Sequence, residues 1–121
     1  MSNDQGDQLD QETIMMMCNE TFRTSTEYLI ELNTTGAFPD ETDKTPMCYI
    51  RCYLENVGVM KDDKLDREKA IQMSWSTSED ALDECNKEVA DRMNPCEKAY
   101  FLTRCVMMRN IVDTRTNNEE K

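Results

Sequence analysis

Six cysteines, spaced Cys18-x29-Cys48-x3-Cys52-x32-Cys85-x10-Cys96-x8-Cys105, constrain this chain more than any other feature. An even, dense cysteine set in a short chain reads as a disulfide framework made in an oxidising compartment. Five of the six fall in segments with helical patterning, so the bridges are expected to join helices rather than staple loops. Cys48 and Cys52 stand four residues apart on one helix. Their side chains project nearly in parallel, a poor geometry for a bond between them. Each therefore needs a different partner, and spacing leaves most of the fifteen pairings open. Structural zinc is the competing use of such residues. Only one pair approaches its Cys-x2–4-Cys spacing and histidine is absent, so neither a metal site nor a cofactor is expected.

With 121 residues the chain is expected to form one domain, 1–121, with polar, flexible tails at 1–7 and 113–121. A chain of this size hides roughly two thirds of its unfolded surface, enough for a real core. Disulfides then supplement packing. A bridge closing a loop of a few tens of residues restricts the unfolded chain by about 3–4 kcal/mol in the entropy model. The formal charge of −11, from 25 acidic and 14 basic residues, argues against nucleic acid and anionic bilayers as partners. No apolar run approaches the ~20 residues of a membrane span, so stable insertion is not expected. The start, Met1-Ser-Asn-Asp-Gln-Gly-Asp, is too polar for a signal peptide; a secreted form would have lost its leader. The lack of histidine excludes the usual Ser-His-Asp and Cys-His catalysis and any imidazole pH switch.

The periodicity is helical throughout. A first helix spans Leu9 to Phe22 behind acidic residues, and a second starts at the capping box Thr24-Ser25-Thr26-Glu27 and stops near Gly36. A third has Pro46 in its first turn and ends at Gly58. Its apolar arc of Met47, Tyr49, Ile50, Tyr53, Leu54 and Val57 is broad enough to place it centrally. Lys61 to Lys64 reads as a charged loop, and Asp66 caps a short fourth helix. Ser76-x-x-Glu79 is a capping box for the fifth, with Leu82, Cys85, Val89 and Met93 on one stripe. Asn94-Pro95-Cys96-Glu97 opens the sixth, which is expected to end near Val112, with Asn94 as cap and Glu97 reaching back. The fold class is all-α, with six short helices tied by three disulfides around an internal apolar cavity.

The cysteine ladder, the helical order and the segment Pro46-Met47-Cys48-Tyr49-Ile50-Arg51-Cys52 together resemble the insect odorant-binding proteins of the six-cysteine, general and pheromone-binding type. The resemblance covers roughly Leu9 to Val112, and Gly58 and Leu65-Asp66 fall where that family turns into its fourth helix. The interval from Cys52 to Cys85 is shorter than usual, which implies a trimmed fourth helix or trimmed loops. The resemblance implies bridges Cys18–Cys52, Cys48–Cys96 and Cys85–Cys105. It also implies a secreted carrier moving odorants, pheromones, fatty acids or tastants through extracellular fluid to a chemosensory receptor or a membrane.

A carrier needs apolar lining with a few orienting polar groups, and no nucleophile; enzyme activity is not expected. Helical phase nominates Met17, Leu29, Ile50, Leu54, Val57, Ile71, Met73, Trp75, Leu82, Val89, Phe101, Met108 and Ile111 as liners. Tyr53 and Tyr100 are candidate hydroxyls for a ligand head group. Arg23 and Arg104 are candidate cations for a carboxylate, because a guanidinium binds one through two hydrogen bonds. Ten methionines, with Met17, Met73, Met93, Met107 and Met108 on or beside buried faces, suit an adaptable pocket. Asn19-Glu20-Thr21 and Asn33-Thr34-Thr35 match the N-glycosylation pattern. The carboxylate surplus permits release only at a lower pH than an imidazole switch would give. Two other readings are a salivary or haemolymph scavenger of amines or lipid mediators and a disulfide-bonded helical signalling protein. Acidic pocket residues would mark the first, and a solid core the second.

Overall fold

In the computed structural model, which describes residues 10–73, 75, 76 and 78–119, the chain builds six helices and one minimal hairpin. Their order is α1 (Gln11–Thr21), α2 (Thr26–Thr35), α3 (Lys44–Val57), β1 (Met60–Lys61), β2 (Lys64–Leu65), α4 (Arg67–Gln72), α5 (Glu79–Glu88) and α6 (Pro95–Glu119). Residues 1–9 lie outside this description, and with them the expected N-terminal tail and the Leu9 start of the first helix. The sixth helix continues to Glu119, well past the Val112 limit read from its apolar stripes. Helix propagation needs only one hydrogen bond per added residue, so an apolar face is no condition for extending it.

Helix α3 is the axis of the molecule. Pro46, Met47, Tyr49, Ile50 and Leu54 are buried on it, and its most extensive packing is against α6 and then α1. Its narrow polar strip is closed by Arg51, which pairs with Glu55 at 3.3 Å and with Asp63 at 3.2 Å. Cys48 and Cys52 leave the same helix to different partners. Cys18–Cys52 ties α1 to α3 and Cys48–Cys96 ties α3 to α6, with Cα–Cα distances of 5.7 and 4.5 Å. Cys85–Cys105 ties α5 to α6 at 5.7 Å. The bridges thus link α1, α3, α6 and α5 in one series, while α2 and α4 contain no cysteine.

Side-chain caps set the helix starts. Asp10 accepts from the Thr13 N–H at 2.8 Å, Asp43 from Thr45 at 3.2 Å and Asp66 from Lys69 at 3.1 Å. The cap of α2 is Ser25 rather than Thr24, whose hydroxyl instead donates to the Phe22 carbonyl. The cap of α5 is Ser78 rather than Ser76; the Ser76 hydroxyl is engaged by the backbone of Ser78 itself. Asn94 does cap α6, accepting from the N–H groups of Cys96 and Glu97. Glu97 does not reach back, because its carboxylate is taken by Lys44 at 2.6 Å and Arg92 at 3.5 Å.

The segment expected as a charged loop is a tight antiparallel hairpin, with Met60 opposite Leu65 and Lys61 opposite Lys64. Asp62 and Asp63 hold positive φ, 54° and 64°, which a two-residue hairpin turn demands and aspartate tolerates. Strand alternation two residues long is invisible in sequence. Gly36 ends α2 at φ 88°, and a Cβ there would lie 2.7 Å from Met108 Cγ, so the helix end is pressed against α6.

The connector after α2 is anchored at Tyr100. Its fully buried hydroxyl accepts from the Phe38 N–H at 2.8 Å and donates to Glu41 at 2.6 Å. Arg104 meets the same carboxylate at 3.1 Å. The Phe38 ring stacks on Tyr100 at 4.4 Å and is flanked by Tyr28 at 5.3 Å. Burial, then the Glu41 carboxylate, pushes the Tyr100 phenol well above its ordinary value. Replacing Tyr100→Phe strands the Phe38 N–H and is expected to lower unfolding free energy by about 1–3 kcal/mol, read from urea titration. A phenol raised in the folded state keeps its proton after the unfolded chain has lost it. Its contribution is therefore complete below about pH 10 and declines as pH rises further. Urea-measured stability is expected to fall above that pH, less steeply in Tyr100→Phe.

Candidate ligand-binding site

A cavity of about 290 Å³, open on one side, lies where α1, α2, α3 and α6 meet. Helical spacing assembles it. Tyr49, Ile50, Tyr53 and Leu54 come from adjacent turns of α3, Leu29, Leu32 and Asn33 from α2, and Thr103 and Met107 from α6. Gln11 and Met15 come from α1, and Trp75 comes from the segment after α4. Trp75 is held by its backbone: its N–H donates to the Ala70 carbonyl at 2.9 Å and its carbonyl accepts from Asn110 Nδ2 at 3.0 Å. Gln11, Met15 and Asn33 are exposed at the rim, whereas Leu32, Tyr49, Ile50, Leu54 and Thr103 are buried.

None of the twelve described lining residues is charged. Desolvation raises the Tyr49 phenol, with a smaller contribution from Tyr53, and desolvation also raises the Tyr53 phenol. Both therefore stay neutral donors at ordinary pH. The Thr103 hydroxyl donates to the Ala99 carbonyl at 2.9 Å, which leaves its oxygen available as an acceptor.

Of the residues nominated from sequence, the structure gathers Leu29, Ile50, Tyr53, Leu54 and Trp75 around this cavity. Leu82 is core that does not border it, and Val57 and Met73 pack against the core as half-buried side chains. Ile111 is half-buried on α6 outside the lining, and Ile71 and Met17 are substantially exposed. Met93 is 92% exposed, so its place on the α5 stripe does not bury it; α5 has ended at Glu88. Tyr100 is the structural anchor described above, its oxygen already committed. Sequence reasoning left out Gln11, Met15, Leu32, Asn33, Tyr49 and Thr103 as liners, and placed Met107 only within the methionine group. The spacing of Leu29, Leu32 and Asn33 on α2 could have flagged the last two.

The proposed cations lie elsewhere. Arg23 is exposed beyond α1. Arg104 borders a separate hollow of about 310 Å³ between α5 and α6, together with Val89, Phe101, Met108, Arg92 and Arg109. Each of these guanidinium groups is already paired: Arg104 with Glu41, Arg92 with Glu97, and Arg109 with Glu84 and Glu88. Arg92 also covers the face of Phe101, 3.8 Å from the ring centre.

Residues 3–109 match the model of the PBP/GOBP family. The chain belongs to that family. The insect odorant-binding resemblance carried by its cysteine ladder and the six-helix, three-bridge fold agree with this membership. Over 112 residues this PBP/GOBP chain is 34% identical to General odorant-binding protein 84a of Drosophila melanogaster. The match covers 92% of the chain and 64% of that relative, so the chain spans a little under two thirds of the relative's length. No helix among the described residues is long and apolar enough to cross a membrane.

Proposed function

We propose that this protein is a secreted carrier of small hydrophobic molecules, taking them up from extracellular fluid and releasing them at a chemosensory receptor or membrane. The observation that carries this reading is the open-sided cavity lined largely by apolar side chains, set among helices that disulfides tie in series. Family membership and the printed name of the Drosophila relative support it. Each ligand CH₂ withdrawn from water contributes about 0.8 kcal/mol, so a modest chain binds usefully without specialised chemistry. A scavenger of amines would need an acidic liner, and a signalling protein with a solid core would lack the cavity; neither feature fits the lining.

Trp75 is the sole tryptophan, and its place in the cavity wall makes it a built-in reporter. Delipidated protein is expected to bind an apolar naphthylamine dye with loss of Trp75 emission, and hydrophobic competitors are expected to reverse both signals. Absence of dye binding, or dye binding without any change at Trp75, would sink the carrier reading at this cavity. Filling the space through Leu29→Trp is expected to weaken dye binding about tenfold or more while leaving far-UV circular dichroism unchanged. Dye affinity equal to that of the parent would place the ligand elsewhere.

A further inference from the structure

Resting on the carrier reading, we infer that the cavity selects neutral ligands carrying one oxygen function, an alcohol, aldehyde, ketone or ester, and that Tyr49 and Tyr53 are its specificity-determining residues. Three observations converge. First, the described lining residues include no aspartate, glutamate, lysine or arginine, although charged residues make up 32% of the chain. A carboxylate or ammonium entering would give up its hydration with no opposite charge to replace it, which disfavours both. The overall charge of −11 further repels carboxylates.

Second, two phenols line the cavity one helical turn apart on α3, so their side chains are neighbours on the same face. Tyr49 is buried and Tyr53 half-buried, yet neither hydroxyl has a hydrogen-bond partner among the described residues. This contrasts with Tyr100, whose oxygen both accepts and donates. Neither oxygen is among the polar atoms sealed from solvent, so both stay accessible at the cavity wall, where a ligand oxygen can take over the hydrogen bonds that water otherwise makes. Third, Thr103 on the facing helix α6 has spent its proton on Ala99 and offers only an acceptor. The site therefore presents two donors from one wall and an acceptor from another. That set satisfies a carbonyl through the tyrosines and a hydroxyl through a tyrosine and Thr103. Size agrees with a compact guest: about 290 Å³ holds about ten heavy atoms at the ~30 Å³ that a water-sized group occupies in the liquid.

The test is competition for the naphthylamine dye at neutral pH by one carbon skeleton in four forms: butylbenzene, phenylbutanol, phenylbutanoate and phenylbutylamine. Phenylbutanol is expected to compete about threefold to tenfold better than butylbenzene, the range of one net hydrogen bond. The carboxylate and the ammonium are expected to compete worse than butylbenzene. In a Tyr49→Phe/Tyr53→Phe variant with its three bridges intact, the alcohol's advantage is expected to vanish while butylbenzene stays within about twofold of its parent value. A charged form competing as well as the alcohol, or an alcohol preference that survives loss of both hydroxyls, overturns the inference. If butylbenzene and the other three all fail to displace the dye, the carrier reading itself falls, and this one with it.

Discussion

The architecture depends on one turn of α3. Two cysteines four residues apart are poorly placed to bond to each other, and their sulfurs instead lead to two different helices, α1 through Cys18 and α6 through Cys96. A helix fastened to two neighbours by covalent bonds one turn apart has little freedom to rotate about its axis. Its phase is thereby set, and with it which residues face the junction with α1, α2 and α6. Tyr49 and Ile50 directly follow Cys48, and Tyr53 and Leu54 directly follow Cys52, so the constraint that orients the sulfurs also aims the cavity wall.

A second fixture complements the first. The connector between α2 and α3 dips inward at the buried Phe38, whose backbone amide needs a partner there. Tyr100 supplies one on the Phe38 amide, Glu41 receives the phenolic proton, and Arg104 balances the carboxylate. This chain of contacts commits Glu41 and Arg104 to internal pairing. The arginines of the neighbouring hollow are spent the same way. The described residues of the cavity wall are uncharged, which is why ion pairing plays no part in the selectivity inferred there.

The fold class and the helix order were legible because apolar periodicity, cap residues and glycine stops are local signals. Errors arose where nearby or distant residues compete for one local role. Ser25 and Ser78 took caps assigned to neighbouring hydroxyls, and Glu97 found cations from other segments. The site was less legible than the fold for a different reason. Helical phase identifies the side of a helix that avoids water, but not which of those side chains borders empty space. Leu82 and Leu54 look alike along their stripes and are equally buried, yet only Leu54 lines the cavity. Tyr53 on α3 and Tyr100 on α6 likewise share a residue type and a place on a largely buried helix, and tertiary pairing alone assigns Tyr100 to the scaffold and leaves Tyr53 at the site. Arg104 could not be read as neutralised, because Glu41 is distant in sequence.

The order of the bridges has a topological consequence for survival among proteases. Cys18–Cys52, Cys48–Cys96 and Cys85–Cys105 overlap in sequence like tiles, each beginning before the previous one closes. Sever the backbone once anywhere between Cys18 and Cys105, and at least one bridge spans the break. The two fragments stay attached, and a single nick in the exposed hairpin or in the connector after α2 yields a clipped molecule rather than two departing pieces.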